Sequence, residues 1–294
     1  MSKQTRKPGW LRVKALDTKT RKLMSRTLAG LHTVCEEANC PNIGECFTRG
    51  TATFMIMGDR CTRNCAFCMV EHGEPEALDP DEPARLAKAA TKLKLKHIVI
   101  TSVTRDDLPD GGAARFTACT EELRRLKPAP SVELLTPDFM GDPDALGAVL
   151  TAHPDVFNHN VETVPRLYPR VRPEADYGRS VSVLAQAHRF AQSDSGRGML
   201  VKSGLMVGMG ETFDEIVVVL GDLREAGVDL VTIGQYLKPR SAGGHCDVAR
   251  YVEPKEFEAY SEIARDMGFT GVASGPLVRS SYRAGEQLEE TKRS

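Results

Sequence analysis

Six of the chain's eight cysteines crowd between Cys35 and Cys68, and they fall into two triads. The stretch CTRNCAFC gives Cys61-x3-Cys65-x2-Cys68, and CEEANCPNIGEC gives Cys35-x4-Cys40-x5-Cys46. A structural zinc ion takes four protein ligands, commonly from paired C-x2-C knuckles, and only Cys65 and Cys68 form such a pair. Zinc is therefore the weaker reading, even with His32 or His72 drawn in to complete a set. Three thiolates on one loop can instead hold three irons of a cubane cluster and leave the fourth iron open, as a catalytic metal keeps an open position for its substrate.

Such thiols act only if a scaffold presents them. Short apolar runs at 53–57, 97–103, 132–137, 156–162, 201–208 and 230–237 are rich in Val, Ile and Leu with little strict alternation, the pattern of strands buried on both faces. Helix-like segments lie between and after them at 83–95, 112–126, 144–152, 178–194, 212–226 and 254–267. Asp81 ahead of Pro83, and Thr212 ahead of an apolar run, read as helix starts. Six strand–helix units predict an α/β protein with a parallel sheet and right-handed crossovers. Six are too few for a full eightfold barrel, so we expect a partial (β/α)6 TIM-type barrel, with a doubly wound sheet as the alternative. CTRNCAFC then follows the first strand and lies at the barrel mouth, where functional groups gather.

The 294 residues, 41% hydrophobic and 27% charged, have ordinary globular composition and ample length for a core. A net charge of −1 gives no global field for nucleic acid or a membrane surface. The first thirty residues carry nine Lys and Arg against the single acid Asp17, which reads as a solvated arm or as a docking surface for an acidic partner. No signal peptide or membrane span is visible. We expect a cytoplasmic protein, where cysteines serve metal or redox chemistry rather than disulfides.

The thiol spacing on the loop after the first strand resembles the radical S-adenosylmethionine (SAM) superfamily. The phrases PNIGEC, TATFMIMGDRCTR, RDDLPDGGA, LTPDFMGD, FNHNVETVPRLYPRVRP, KSGLMVGMGET, TIGQYLKP and GPLVRSSY, in that order, resemble the lipoyl synthase family within it. The likeness runs from about Cys35 to Ala284. Asn64 and Ala66 depart from the family's usual Arg and Pro without altering the spacing, and the RSAGGH loop from Arg240 to His245 is longer than usual.

The resemblance implies a sulfurtransferase that inserts two sulfurs, at carbons 6 and 8, into an octanoyl group on a carrier-protein lysine. It implies two [4Fe-4S] clusters. Cys61, Cys65 and Cys68 hold the one whose open iron is chelated by SAM; its electron cleaves SAM to methionine and a 5′-deoxyadenosyl radical. Cys35, Cys40 and Cys46 hold an auxiliary cluster that is dismantled as the sulfur donor, with a serine of RSSY as fourth ligand, Ser281 in preference to Ser280. A serine oxygen is a harder, more weakly held iron ligand than a thiolate, so that iron could leave first. For SAM itself the expected contacts are Gly204, Met206 and Gly208 around the adenine, Thr101 and Ser102 at the amino group, Asn160 and Glu162 at the ribose, and Lys202 or Arg172 at the carboxylate. Implied partners are an octanoylated lipoyl carrier domain (a dehydrogenase-complex subunit or the glycine cleavage carrier protein), an electron donor such as flavodoxin or ferredoxin, and an iron–sulfur carrier that rebuilds the auxiliary cluster. No nucleic acid or membrane is implied. The chain divides into an extension at 1–50, a barrel at 51–270 and a C-terminal segment at 271–294. Readings set beside this are a biotin synthase-like sulfur inserter and a non-catalytic metal-binding scaffold. From the residues alone, Asp106, Asp107 and Asp110 read as a loop and helix-start cluster, Cys119 as core and Cys246 as incidental.

Overall fold

Apolar side chains at alternate strand positions, with polar ones between them, make a layered structure with helices outside and a polar interior. The computed structural model describes residues 7–11, 30–34, 40, 42–239 and 244–293. Cys35, Arg240 of the RSAGGH loop and the basic residues Lys14, Lys19, Arg21 and Lys22 lie outside the described residues. A short turn at Gly9–Leu11 precedes β1 (His32–Thr33), α1 (Ile43–Thr48), β2 (Thr51–Ile56), β3 (Arg60–Cys61), β4 (Glu71–His72) and α2 (Glu82–Leu93). The units that follow are β5 (His97–Ser102) with α3 (Ala113–Arg124), β6 (Ser131–Leu135) with α4 (Pro143–Thr151), and β7 (Val156–Asn158) with α5 (Tyr168–Val171) and α6 (Tyr177–Ala191). Then come β8 (Leu200–Val207) with α7 (Phe213–Glu225), β9 (Leu230–Gln235) with α8 (Pro254–Asp266), and β10 (Gly271–Gly275) with α9 (Ala284–Arg293).

One eight-stranded sheet runs in the order β1-β2-β5-β6-β7-β8-β9-β10, and every pairing in it is parallel except β1 with β2. The register slips by two residues between β6 and β7 and again between β8 and β9, where Glu133 pairs with Val156 and Lys202 with Leu230. Such stagger accompanies the tilt that curls a sheet toward a barrel. The six expected strand–helix units are all present, with ends shifted by a few residues. β10 adds a seventh parallel strand that the apolar pattern does not announce, because GVASG has one large aliphatic side chain and is half-buried throughout.

Strand parity explains both layers. Ile98, Ile100, Val132, Leu134, Phe157, Val201, Val207, Val231 and Ile233 join the helices in the main core. The intervening positions include His97, Glu133, Asn158 and Lys202, which meet one another inside the barrel. At the strands' starting ends Val156 and Leu230 pack with Leu288 of α9 and partly buried Leu200, which floors the barrel with apolar side chains.

Local signals fix the helix ends. Thr212 accepts from Glu215 N while Glu215 reaches back to Thr212 N, a capping box at the start of α7. Asp110 takes the N–H groups of Gly112 and Ala114 at the start of α3. Asp81 holds the expected position before α2 but its side chain makes no cap; it adopts helical dihedrals, and Asp79 accepts its N–H instead. Among the described residues, no helix is long and apolar enough to cross a membrane.

Candidate functional site

The thiol loop leaves the carboxyl end of β2 through a backbone reversal in which Met57 has φ of 69°. Glu82, the first residue of α2, reaches back and accepts from Met57 N with both carboxylate oxygens, at 3.0 and 3.2 Å. β3 then pairs with β4 and brings Cys61 beside His72, closed by Gly73 N donating to Cys61 O. Four hydrogen bonds tie the loop to three further segments. Thr62 N donates to Thr104 O, Thr104 N donates to Cys61 Sγ at 3.2 Å, Ala66 N donates to Val171 O, and Cys246 N donates to Ala66 O. Cys246, expected as incidental, thus contributes its backbone to the loop's roof, and Tyr236 Oη holds the Cys246 carbonyl at 2.8 Å.

Arg63, between the first two thiols, is only 5% exposed and anchors the loop downward. Its guanidinium donates to Asp106 at 2.6 and 2.9 Å and to fully buried Asp138 at 2.6 Å, and Asp138 also accepts from Arg179 at 2.8 Å. Burial pushes the Asp138 carboxyl up, but the adjacent Arg63 outweighs it and holds the group down at about 2. Asp106 is therefore an anchor of the thiol loop rather than a plain turn residue, while Asp107 pairs with Arg105. The sequence reading missed Arg63 and Asp138, although both stand within the phrases that carry the resemblance.

Burial raises the Cys65 thiol to about 11, against the pull of Arg172, and the Cys68 thiol to about 12, against a bond from Val70 N. Half-buried thiols of this kind become thiolates when cationic iron supplies the missing charge. A cubane's three thiolates each hold a different iron, so they need not converge on one point. Among the described residues no three His, Cys, Asp or Glu side chains do so. The donor set fits a cluster, and buried polar atoms nearby fit a polar co-substrate. Ser102 Oγ and Arg172 Nε are both buried without a hydrogen-bond partner.

The other expected residues lie along the barrel strands and in the loops that follow them. Asn160 Nδ2 donates to Glu162 Oε1 at 3.0 Å, and Arg172 Nη1 donates to the carbonyls of Asn160 and Val161. Burial raises the Glu162 carboxyl, with Arg172 and Asn160 opposing. Thr101 Oγ1 is engaged with Leu135 O at 2.9 Å. The Lys202 ammonium is held by Glu133 at 3.1 Å, both side chains fully buried. Burial pushes Glu133 up, yet Lys202, His97 and Asn158 bring it down to about 2. Gly204 permits a close approach: a Cβ there would stand 2.4 Å from Thr232 Oγ1 and 2.9 Å from Asn160 Oδ1. Gly208 has φ of +103°, and a Cβ would meet Gln235 Nε2 at 2.1 Å. Met206 is half-buried on β8.

Cys40 and Cys46 of the other triad sit beside the C-terminal segment. Asn42 Nδ2 donates to Leu277 O at 2.7 Å, Glu45 accepts from Arg283 at 2.8 Å, and Arg49 pairs with Glu286. Burial lifts the Cys46 thiol to about 11; Cys40 lies close enough to add to this, and Arg283 N donates to the Cys46 sulfur. Burial also raises Cys40, with Arg279 opposing. From β10 the chain runs back inward. Arg279 Nη1 donates to Gln235 O at 3.3 Å, Ser280 Oγ donates to Asn160 Oδ1 at 2.7 Å, and Asn158 Nδ2 donates to Ser280 Oγ at 3.3 Å. Ser281 follows directly, and its carbonyl accepts from Ala284 N.

Comparison with known proteins matches residues 55–223 to the radical SAM superfamily. A lipoyl synthase from Rubrobacter xylanophilus is 55% identical over 98% of this chain and 88% of its own length. One from Caldanaerobacter subterraneus subsp. tengcongensis is 55% identical over 95% of this chain and 96% of its own. Among solved structures, the FeFe-hydrogenase maturase HydG from Carboxydothermus hydrogenoformans superposes with a TM-score of 0.59 at 14% identity, covering 95% of this chain and 63% of that one. Streptococcus suis SuiB bound to its precursor peptide SuiA gives 0.57 at 12% identity over 92% of this chain and 57% of that one. These two likenesses concern the fold, a partial barrel, alone. Thiol loop, strand order and near-full-length identity agree: the chain belongs to the lipoyl synthase family of radical SAM, iron–sulfur-dependent sulfurtransferases.

Proposed function

We propose that the two triads hold two [4Fe-4S] clusters with different work, by which this chain places sulfur on carbons 6 and 8 of a protein-bound octanoyl group. Cys61, Cys65 and Cys68 hold the cluster that SAM joins. Cys35, Cys40, Cys46 and Ser281 hold the cluster consumed as the sulfur source. When bound, the first cluster and SAM supply the electron and the radical chemistry that unactivated C–H bonds require. The observation that carries this division is the clasp in which Asn42 meets Leu277, Arg279 acts on Cys40 and Arg283 N meets the Cys46 sulfur, so that the residues flanking the RSSY serines on both sides engage the segment of Cys40 and Cys46.

The residues divide the remaining tasks by what is already engaged. Ser280's hydroxyl is taken up by Asn160 and Asn158, which supports Ser281 as the ligand. Ser102 and Arg172 present unpartnered buried atoms to the amino and carboxylate groups of SAM, whereas Thr101 is occupied by Leu135 O and Lys202 by Glu133. Asn160 and Glu162 orient the ribose, and Gly204, Met206 and Gly208 line the adenine side. The extension at 1–50 and the segment at 271–294 together supply the auxiliary-cluster ligands beside the barrel of 51–270. The octanoyl group arrives on a lipoyl carrier domain of a dehydrogenase complex or of glycine cleavage, electrons come from a flavodoxin or ferredoxin, an iron–sulfur carrier rebuilds the auxiliary cluster, and the work takes place in the cytoplasm. The test is anaerobic incubation of the reconstituted full chain with SAM, dithionite and an octanoyl-lysyl carrier domain, read by mass spectrometry. Two sulfurs should appear on the octanoyl group, with two 5′-deoxyadenosines formed per octanoyl group converted. Cleavage of SAM with no sulfur gained, by protein carrying its full iron, would overturn the reading.

A further inference from the structure

A chain of hydrogen bonds runs along the inside of the barrel. Lys202 meets Glu133, Glu133 accepts from Asn158 Nδ2 at 2.7 Å, Asn158 Nδ2 also donates to Ser280 Oγ at 3.3 Å, Ser280 Oγ donates to Asn160 Oδ1 at 2.7 Å, and Asn160 Nδ2 donates to Glu162 at 3.0 Å. Ser280 is its only member from the C-terminal segment. It also fixes the chain's direction. An amide can turn over and exchange its oxygen for its nitrogen unless each end has a partner of the right kind. With the Ser280 hydroxyl donating to Asn160 Oδ1, Asn160 Nδ2 faces Glu162, and the Asn158 amide donating to Ser280 Oγ favours that sense. Glu162 is half-buried, its carboxyl is raised by that burial, and Arg172 and Asn160 are what favour its charge. The segment that would bear the auxiliary ligand Ser281 is thus hydrogen-bonded, one residue earlier, to the pair that would orient SAM.

Resting on the site reading above, we propose that Ser280 is a positioning residue coupling the two sites: its hydroxyl joins the auxiliary-ligand segment to Asn160 and Glu162, so that auxiliary-cluster ligation and SAM binding strengthen each other. Ligation through Ser281 holds the segment in place, Ser280 then holds Asn160 in its donating orientation, and SAM meets a preset Glu162. Reciprocity follows from linkage: whatever factor the auxiliary cluster adds to SAM affinity, SAM adds to retention of that cluster. A chain that has given up its auxiliary cluster would accordingly release SAM more readily and bind it again on rebuilding.

The experiment is a cycle of SAM dissociation constants, measured by anaerobic equilibrium dialysis on the reconstituted full chain with no carrier present. Cys46→Ala empties the auxiliary site and Ser280→Ala cuts the link. The parent protein should bind SAM about fivefold or more tightly than Cys46→Ala, the lower range of coupling between sites. Ser280→Ala and the double variant should bind alike, and Ser280→Thr, which keeps the hydroxyl, should restore the difference. A difference that survives Ser280→Ala, or equal affinity in the parent and Cys46→Ala, overturns the coupling. Iron content separates this failure from failure of the site reading. Cys46→Ala should fall from about eight to about four irons per chain, and Ser280→Ala should keep about eight. Retention of eight irons by Cys46→Ala sinks the ligand assignment itself. Loss of auxiliary iron in Ser280→Ala but not in Ser281→Ala makes Ser280 the ligand and ends its positioning role.

Discussion

The two cysteine triads are held by opposite means. Cys61, Cys65 and Cys68 sit on a loop pinned to the barrel by a buried ion-pair anchor, Arg63 with Asp106 and Asp138, and by backbone bonds to residues 104, 171 and 246. Among the described residues, Cys40 and Cys46 sit on a short segment held by the hydrogen bond from Asn42 to Leu277 O, by the Arg283 N–H on the Cys46 sulfur, and by half-exposed contacts of Glu45 with Tyr282 and Arg283. Surface pairs of that kind contribute about 0–1 kcal/mol each, while a buried charge left without its partner costs about 3–5 kcal/mol. The rigid support belongs to the cluster that must survive every turnover. On the division proposed above, the looser support would belong to the cluster given up as the sulfur source.

The sharpest way to break this contrast is to remove one triad at a time. Alanine at Cys61, Cys65 and Cys68 should abolish SAM cleavage altogether. Alanine at Cys40 or Cys46 should leave SAM cleavage in place while sulfur transfer is lost, as read by 5′-deoxyadenosine against product mass. Next in size is the anchor. Arg63→Met leaves Asp138 buried with Arg179 as its remaining cation, and urea unfolding should show a loss of about 3 kcal/mol. The same variant should lose iron from the thiol loop before it loses iron from the other triad.

Acidity should also strike the barrel side first. Burial and the nearby Arg172 lower the His159 imidazole from 6.5 to about 4 in the folded chain. The unfolded chain then binds the proton first as pH falls. The stability that the neutral ring contributes, on the order of 3 kcal/mol, is whole above pH 6.5 and is lost progressively as pH falls toward 4. Chemical denaturation of the cluster-free chain should show this slope, and His159→Gln should flatten it. The smallest effect expected is that of Asn42→Ala, which removes one bond of the clasp. It should cost about 1 kcal/mol by urea unfolding and speed loss of auxiliary iron to a chelator, with no change at the thiol loop.

The sequence made the scaffold and the thiols legible for physical reasons. Val- and Ile-rich runs at regular intervals leave few options besides buried parallel strands, and three cysteines after the first of them mark the mouth. Thr212 with Glu215 announces α7 by local chemistry alone. What stayed hidden depends on distant partners. Arg63 and Asp138 are 75 residues apart, and neither looks unlike a surface charge until the fold brings them together. β10 carries its pairing in its backbone rather than in apolar side chains. The polar bond of Ser280 to Asn160 spans 120 residues, and RSSY by itself reads as a turn. Lys202 reads from the sequence as a contact for the SAM carboxylate, whereas Glu133, two strands away in the sheet order, holds it.

The most direct test of the division between triads is iron and acid-labile sulfide per chain after anaerobic reconstitution, with zinc measured alongside, in the parent protein and in Cys61→Ala/Cys65→Ala/Cys68→Ala. About eight irons and eight sulfides in the parent, falling to about four of each in the variant, is the predicted result. About four irons in the parent and almost none in the variant, or one zinc per chain in place of iron, would contradict it.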